Sequence, residues 1–315
     1  MRYIESINQA LSDLLADERV YLLGEDITDP YGGAFKATKG LSTAYPDRVI
    51  STPISEAAIV GMATGMAMRG LRPIVEIMFG DFITLCADQI INGAAKFKYM
   101  YNDQVSVPLV IRTPMGGGRG YGPTHSQTIE SMFFNVPGIK IIAPSLYHDP
   151  GMLLRLAVGD PSPTIFIENK TLYPKKLVTE GGNLLFYDGR LSYSRSPADV
   201  TIITYGGITS TCVDVALDLL LNDEINVEII APFLIKPICF DDMPTSQRVV
   251  TVEETNTHCG WGSEVIADLY ERGFTGKAKR VGAAPSPIPA SIKSEKEVLP
   301  QDYIIKKAIL ELIND

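Results

Sequence analysis

No long hydrophobic run is present in this sequence. Its longest apolar stretch, Ala57 to Met68, is too short to cross a bilayer. Basic clusters are also missing and the formal net charge is −9, which argues against a nucleic-acid-binding surface. Cysteine is scarce: Cys86, Cys212, Cys239 and Cys259 stand far apart and fit no metal-ligand spacing. They read as reduced thiols of an intracellular protein. The amino terminus lacks the charged and apolar regions of a signal peptide, so a cytoplasmic location is expected. A Walker loop, a dinucleotide fingerprint, a serine elbow and a zinc motif are all missing.

What remains is rich in apolar residues. A chain of 315 residues that is 45% hydrophobic can bury the cores of two domains. Short continuous apolar runs at 20–23, 49–52, 73–78, 107–112, 139–143 and 164–168 read as strands. Helical patterns lie between them: an amphipathic one over 3–17, then 38–45, the stretch opening at Glu56, 83–100, 125–135 and 148–158. Such alternation predicts a parallel sheet covered on both faces, with ligands at the carboxyl ends of its strands. This first domain spans 1–174. A Gly- and Ser-containing linker follows over 175–198, then a smaller α/β domain over 199–315. Its strands are expected at 200–205, 227–230, 249–253 and 279–282, and its helices at 210–221, 262–272 and 301–313.

The stretch from Ile54 to Pro73 organises the first domain. Ser55 is a natural N-cap, and Glu56 opens a helix that is otherwise almost wholly apolar. Gly61 and Gly65 sacrifice helix propensity, which suits close approach of another backbone or a ligand, and Gly70 reads as the C-cap. An acid in the first turn gains from the helix dipole and can hydrogen-bond a ligand over the strand end. The competing reading is a carboxylate that merely decorates a helix start. Phe82 could stack a flat heterocycle, or belong to the core. His125 leaves a loop containing Gly116, Gly117, Gly118, Gly120 and Gly122. Glycines there let backbone approach a ligand, and the imidazole can donate or accept a proton. A loop histidine satisfied by backbone is the plain alternative. Arg119 could meet an anionic group or lie in solvent. His148 and His258 read as structural. Right-handed crossovers place Glu56, Phe82 and His125 on one edge of the sheet.

A Gly-Asp-Gly element followed by paired asparagines, which would hold a diphosphate through magnesium, is missing; Gly80-Asp81-Phe82 lacks the second glycine. Across the chain, ordered blocks match a known family. They include Gly24-Glu25-Asp26, Tyr31 to Lys36, Thr52 to Gly61, Leu71 to Met78, Asp88 to Asn92, Arg112-Thr113-Pro114, His125-Ser126-Gln127, Pro137 to Lys140 and Val252-Glu253-Glu254. The chain resembles the beta subunit of the thiamine-diphosphate-dependent 2-oxo acid dehydrogenases.

That resemblance implies a transketolase-like α/β fold, with a pyrimidine-type domain followed by a smaller carboxyl-terminal domain. It implies that Glu56 hydrogen-bonds the aminopyrimidine of thiamine diphosphate, that Phe82 and Met78 line the same ring, and that His125 assists substrate binding and acyl transfer. Leu109, Ala157, Val158, Asp160 and Ser162 align with a monovalent-cation (potassium) site of some members. The missing diphosphate element would lie on a separate alpha subunit, with magnesium held there, in an α2β2 heterotetramer. The substrate would be a 2-oxo acid and the acceptor a lipoyl acyltransferase core. One alternative is half of a biosynthetic carboligase without a lipoyl acceptor. Another is a non-catalytic scaffold, against which Glu56, Phe82 and His125 together speak. Leu85, Thr124 and the segment 99–104 depart from common family residues, so the particular 2-oxo acid is left open.

Overall fold

The computed structural model describes residues 1–178, 183–187, 190–194, 196–238 and 243–314. Cys239 and parts of the expected linker lie outside the described residues. The first sheet is built from β1 (Val20–Gly24), β2 (Val49–Ser51), β3 (Arg72–Glu76), β4 (Val110–Met115), β5 (Lys140–Ile142) and β6 (Thr164–Asn169). The second contains β7 (Leu185–Tyr187), β8 (Arg190–Ser192), β9 (Val200–Thr204), β10 (Val227–Ile230), β12 (Arg248–Asn256) and β13 (Lys277–Ala283). The intervening β11 (Leu234–Lys236) crosses back to the first sheet, whose order is β11-β5-β6-β4-β3-β1-β2. The second sheet runs β13-β12-β9-β10-β8-β7.

β1 to β6 pair in parallel, as their continuous apolar composition predicts. β11 joins antiparallel at the edge beside β5, and β8 pairs antiparallel with both β7 and β10. Both sheets are therefore mixed, not wholly parallel. The stretch 175–198 is not simply a linker, because it supplies β7 and β8; residues 179–182, 188–189 and 195 lie outside the described residues. Arg190 of β8 makes a buried 2.6 Å ion pair with Glu228 of β10, which ties this hairpin to the sheet.

Helices cover both faces of the first sheet. Tyr3–Leu14 turns Tyr3, Ile7, Ala10 and Leu11 inward and packs on Pro150–Gly159. Each large apolar side chain buried this way contributes about 1.5–3 kcal/mol. Pro150–Gly159 starts as its sequence directs: Asp149 accepts from the Gly151 amide at 2.9 Å, and proline occupies the first turn. His148 precedes it with its Nδ1 accepting from the Ser145 amide at 3.1 Å, and burial pushes its pKa down to about 4.

Two expected helices differ. The span 83–100 is divided into a tight turn at Gly80–Cys86, a wide turn at Gln89–Ala94 and a regular helix at Ala95–Met100. Gly80 presses against the Met115 side chain, and Gly93 is a weak helix former. Over 125–135, only Glu130–Phe133 forms a short helical turn. The backbone upstream is engaged elsewhere: the Gln127 amide donates to Asp81 at 3.4 Å and the His125 carbonyl accepts from Lys170 at 2.7 Å. A further helix, Ile292–Val298, rests on the glycine-rich loop.

Met115, Ile167, Ile203, Tyr205 and Trp261 belong to one buried apolar cluster that spans both sheets. Tyr205 and Trp261 meet edge to face with centroids 4.9 Å apart. The two halves thus share a core at their junction.

Candidate active site

The carboxyl ends of β1, β2, β3 and β4 open on one edge, and the loops leaving them carry every candidate side chain of the proposed ring-binding site. Glu56 is the first residue of the helix Glu56–Met68. Ser55 stands at the N-cap position, but its side chain makes no capping hydrogen bond. The helix ends with Arg69 as C-cap and Gly70, expected as the cap, one position beyond at φ 89. Glu56 is 7% exposed, and its carboxylate accepts no hydrogen bond from any described residue. Its oxygens are not among the buried unpartnered atoms, so they stay open to a ligand lying over the strand ends.

Glu25, at the end of β1, faces the same space. Burial raises its pKa and the Glu56 charge raises it further, while the Ser55 amide opposes the shift. Its Oε1 is buried without a partner. Glu25 was visible in sequence only as part of Gly24-Glu25-Asp26; a second acid ending the neighbouring strand was the signal that could have singled it out.

The helix bearing Glu56 packs on the turn Gly80–Cys86, which carries Phe82. The Cys86 thiol in that turn is pushed up to about 12, by burial first and by Glu56 second. Phe82 is half-buried and meets the His125 imidazole edge to face at 5.2 Å. Phe79, which sequence reasoning missed, contacts His125 at 4.7 Å and Phe82 at 5.7 Å, so it joins the two. Met78 lies just after β3 and is partly exposed on the same edge. Asp81 accepts from the Gln127 side chain at 2.7 Å, while its buried Oδ2 has no partner. His125 Nδ1 lies 2.9 Å from the Thr124 hydroxyl.

The glycine-rich loop approaches the chain's own acids. The Gly117 amide donates to Glu254 at 2.5 Å, and the Gly118 and Gly120 amides donate to Glu295 at 2.8 Å. Gly118 and Gly120 have φ of 83 and 70, a region that side chains disfavour. Arg119 donates to the Lys170 carbonyl at 2.7 Å and lies over the Phe35 ring. It is a structural contact here.

Behind the loop, Glu130 is buried at the junction of the two halves. Tyr205 donates a hydrogen bond to its Oε1, and its Oε2 has no partner. Glu130, Asn169, Tyr205 and Glu254 help line a cavity of about 20 Å³, enough for one water. Burial raises the Glu130 pKa from 4.5 to about 7, although the Tyr205 hydrogen bond opposes this. The folded chain therefore retains a proton that the unfolded chain releases. Its stabilising contribution is full below the unfolded pKa and is lost as pH rises through about 7. Glu130→Gln should flatten this dependence, gaining on the order of 3 kcal/mol relative to wild type between pH 4 and pH 8. Urea unfolding at both pH values reads the difference; parallel profiles would contradict the assignment.

The aligned cation-site residues are arranged differently. Lys140 forms an ion pair with Asp160, whose Oδ1 also accepts from the Ser162 amide at 2.8 Å. Arg72 donates to the Val158 carbonyl, Thr164 to Leu109 at 2.8 Å and Asp160 to Ala157 at 3.3 Å. These oxygens already meet donors of the chain, two of them cationic. As placed, the set does not fit a potassium ion.

The family models match this architecture in two pieces: Transketolase, pyrimidine binding domain, over residues 1–176, and Transketolase, C-terminal domain, over residues 189–305. The chain belongs to the transketolase-like family. Among its relatives is the rice (Oryza sativa subsp. japonica) mitochondrial pyruvate dehydrogenase E1 component subunit beta-2, 36% identical over 96% of this chain and 84% of its own length. The Bacillus subtilis acetoin:2,6-dichlorophenolindophenol oxidoreductase subunit beta is 33% identical over 99% of this chain and 96% of its own. A solved split-gene transketolase, described as an inactive beta4 tetramer, superimposes with a TM-score of 0.75 at 19% identity, covering 100% of this chain and 98% of that one. At that identity the likeness concerns the transketolase-like fold alone. Among the described residues, no helix is long and apolar enough to cross a membrane.

Proposed function

We propose that this chain is the beta-type subunit of a thiamine-diphosphate-dependent enzyme that decarboxylates a 2-oxo acid and passes the acyl group to a lipoyl acceptor. The observation that carries the reading is the unpartnered Glu56 carboxylate, open over the strand ends beside the aromatic turn that meets His125. The cofactor fits what is present: the unpartnered Glu56 carboxylate can meet an aminopyrimidine, and the half-buried Phe82 offers an apolar wall. When bound, thiamine diphosphate supplies the carbon nucleophile and the electron sink that decarboxylation requires.

The chain's own part is to hold and orient. Glu56 would pass a proton to and from the pyrimidine ring nitrogen, accepting the ring's hydrogen bond when ionised. Phe82 and Met78 fix the ring plane and keep water away. His125 presents its imidazole to the 2-oxo acid, where it can donate a hydrogen bond to the carboxylate or carbonyl. Phe79 keeps that imidazole against Phe82.

The rest of the cofactor needs a second chain. Magnesium and the diphosphate would be held by an alpha-type subunit in a cytoplasmic α2β2 assembly. The helix Glu56–Met68 supports this reading. Its inner face buries Ile59, Val60, Ala63 and Ala67, yet Gly61 and Gly65 are exposed and Met62 is 49% exposed. An apolar outer face with small residues suits close packing against a partner. The purified chain should therefore bind thiamine diphosphate and magnesium weakly by calorimetry until the alpha-type chain is added. Tight binding by the chain alone would sink the proposal.

A further inference from the structure

We propose that Lys170 is a positioning residue, the post around which the glycine-rich loop winds so that His125 faces the site. This rests on the reading of His125 given above. Lys170 follows β6 immediately and is 0% exposed. Its ammonium donates to a backbone carbonyl, that of His125, at 2.7 Å.

All three polar groups of Lys170 hold the same loop. Its amide donates to the Met115 carbonyl at 3.1 Å, where the loop leaves β4. Its carbonyl accepts from Arg119 at 2.7 Å, in mid-loop. Its ammonium takes the far end at His125. The ammonium also lies 5.4 Å from the centroid of Phe79, whose ring is 4.7 Å from the His125 ring. One side chain thus bears on the backbone of His125 and on the ring that packs against its imidazole.

A buried lysine is expensive, and burial pushes its pKa down to about 8. The charges facing it are Asp81 after β3, Glu254 in β12, Glu295 in the helix Ile292–Val298, and the opposing Arg119. Asp81, Glu254 and Glu295 favour the charged form. Glu254 and Glu295 come from the carboxyl-terminal half and also grip Gly117, Gly118 and Gly120. Asn169, next to Lys170, donates to Glu254 at 2.8 Å. The second domain therefore fixes the loop directly, and through Lys170 it fixes the turn at His125.

A merely structural role and a positioning role make different demands. Removing one buried cation leaves the carboxylates that face it without their partner and destabilises the fold. Lys170→Met should accordingly lower the melting temperature of the full chain whichever role Lys170 plays. The amides of Gly118, Gly120 and His125 should in addition exchange with deuterium at least roughly tenfold faster than the loss of global stability alone explains, the effect of one lost charge-assisted hydrogen bond. Unchanged exchange would overturn the proposal. If Lys170→Met does not fold, Lys170→Gln carries the same exchange test, because it keeps a donor without the charge or the reach.

The exchange measurement uses the full chain without cofactor and stands apart from the enzymatic reading. In the assembled enzyme, Lys170→Met should raise KM for the 2-oxo acid roughly tenfold while leaving thiamine diphosphate affinity unchanged. A loosened loop with an unmoved KM would overturn the positioning role. A wild-type assembly that turns over no 2-oxo acid would instead sink the reading of the enzyme, leaving the exchange result intact.

Discussion

Glu56→Gln should cut turnover of the assembled enzyme by roughly a thousandfold, within the range that a positioned acid or base supplies. The substitution is close to isosteric, so the helix Glu56–Met68 should form as before and partner binding should persist. What changes is the chemistry at one atom. No described residue donates to this carboxylate, and the amide that replaces it keeps an acceptor oxygen but cannot take up a proton. Glu25 cannot take over, because its own carboxyl ends another strand and is engaged with the Ser55 amide. Losing the Glu56 charge should also ease ionisation of Glu25, whose raised pKa owes its second contribution to that charge. Steady-state kinetics together with a sizing measurement separate lost chemistry from lost assembly. Normal turnover in the variant would end the proposed proton-passing role.

The convergence behind this prediction was legible in sequence for a topological reason. Continuous apolar strands alternating with helices permit one parallel arrangement, and right-handed crossovers place successive strand ends on one edge. Chain order alone could therefore bring the loops of Glu56, Phe82 and His125 together. The same logic missed Phe79 and Lys170. A phenylalanine one residue before Gly80 looks like core, and a lysine after a strand looks like surface; only coordinates reveal one against an imidazole and the other wholly buried. In sequence the glycine-rich loop looks like a ligand cradle because glycines permit close backbone approach. Its amides do approach carboxylates, but those of Glu254 and Glu295, more than 130 positions away along the chain. Long-range pairing of this kind has no local signature. The same holds for the helix expected over 125–135, whose first residues surrender their backbone groups to Asp81 and Lys170.

The floor of the site rests on a buried charge cluster, and removing its cation should have the largest effect on stability. Arg112 in β4 is 1% exposed and makes two hydrogen bonds to Glu168 of β6, at 2.7 and 2.9 Å, and one to Glu76 of β3 at 2.8 Å. Tyr173 donates to Glu168 at 2.7 Å. Burial opposes the guanidinium charge, but Glu168 and then Glu76 outweigh it, and the Arg112 pKa is raised. Burial raises Glu76 despite Arg112, with Glu168 adding to the shift. Three neighbouring strands are thus pinned just below their carboxyl ends, where Met78 and the His125 loop begin. Arg112→Met would leave two buried carboxyls without their cation, a loss of about 3–5 kcal/mol. For a protein of this size that corresponds to a fall of roughly 5–8 °C in melting temperature. Adding Glu168→Gln should restore part of the loss, because one uncompensated charge is then removed. Calorimetry on the single and double variants decides the matter. A single variant that melts with the wild type would show that these strands do not depend on the cluster.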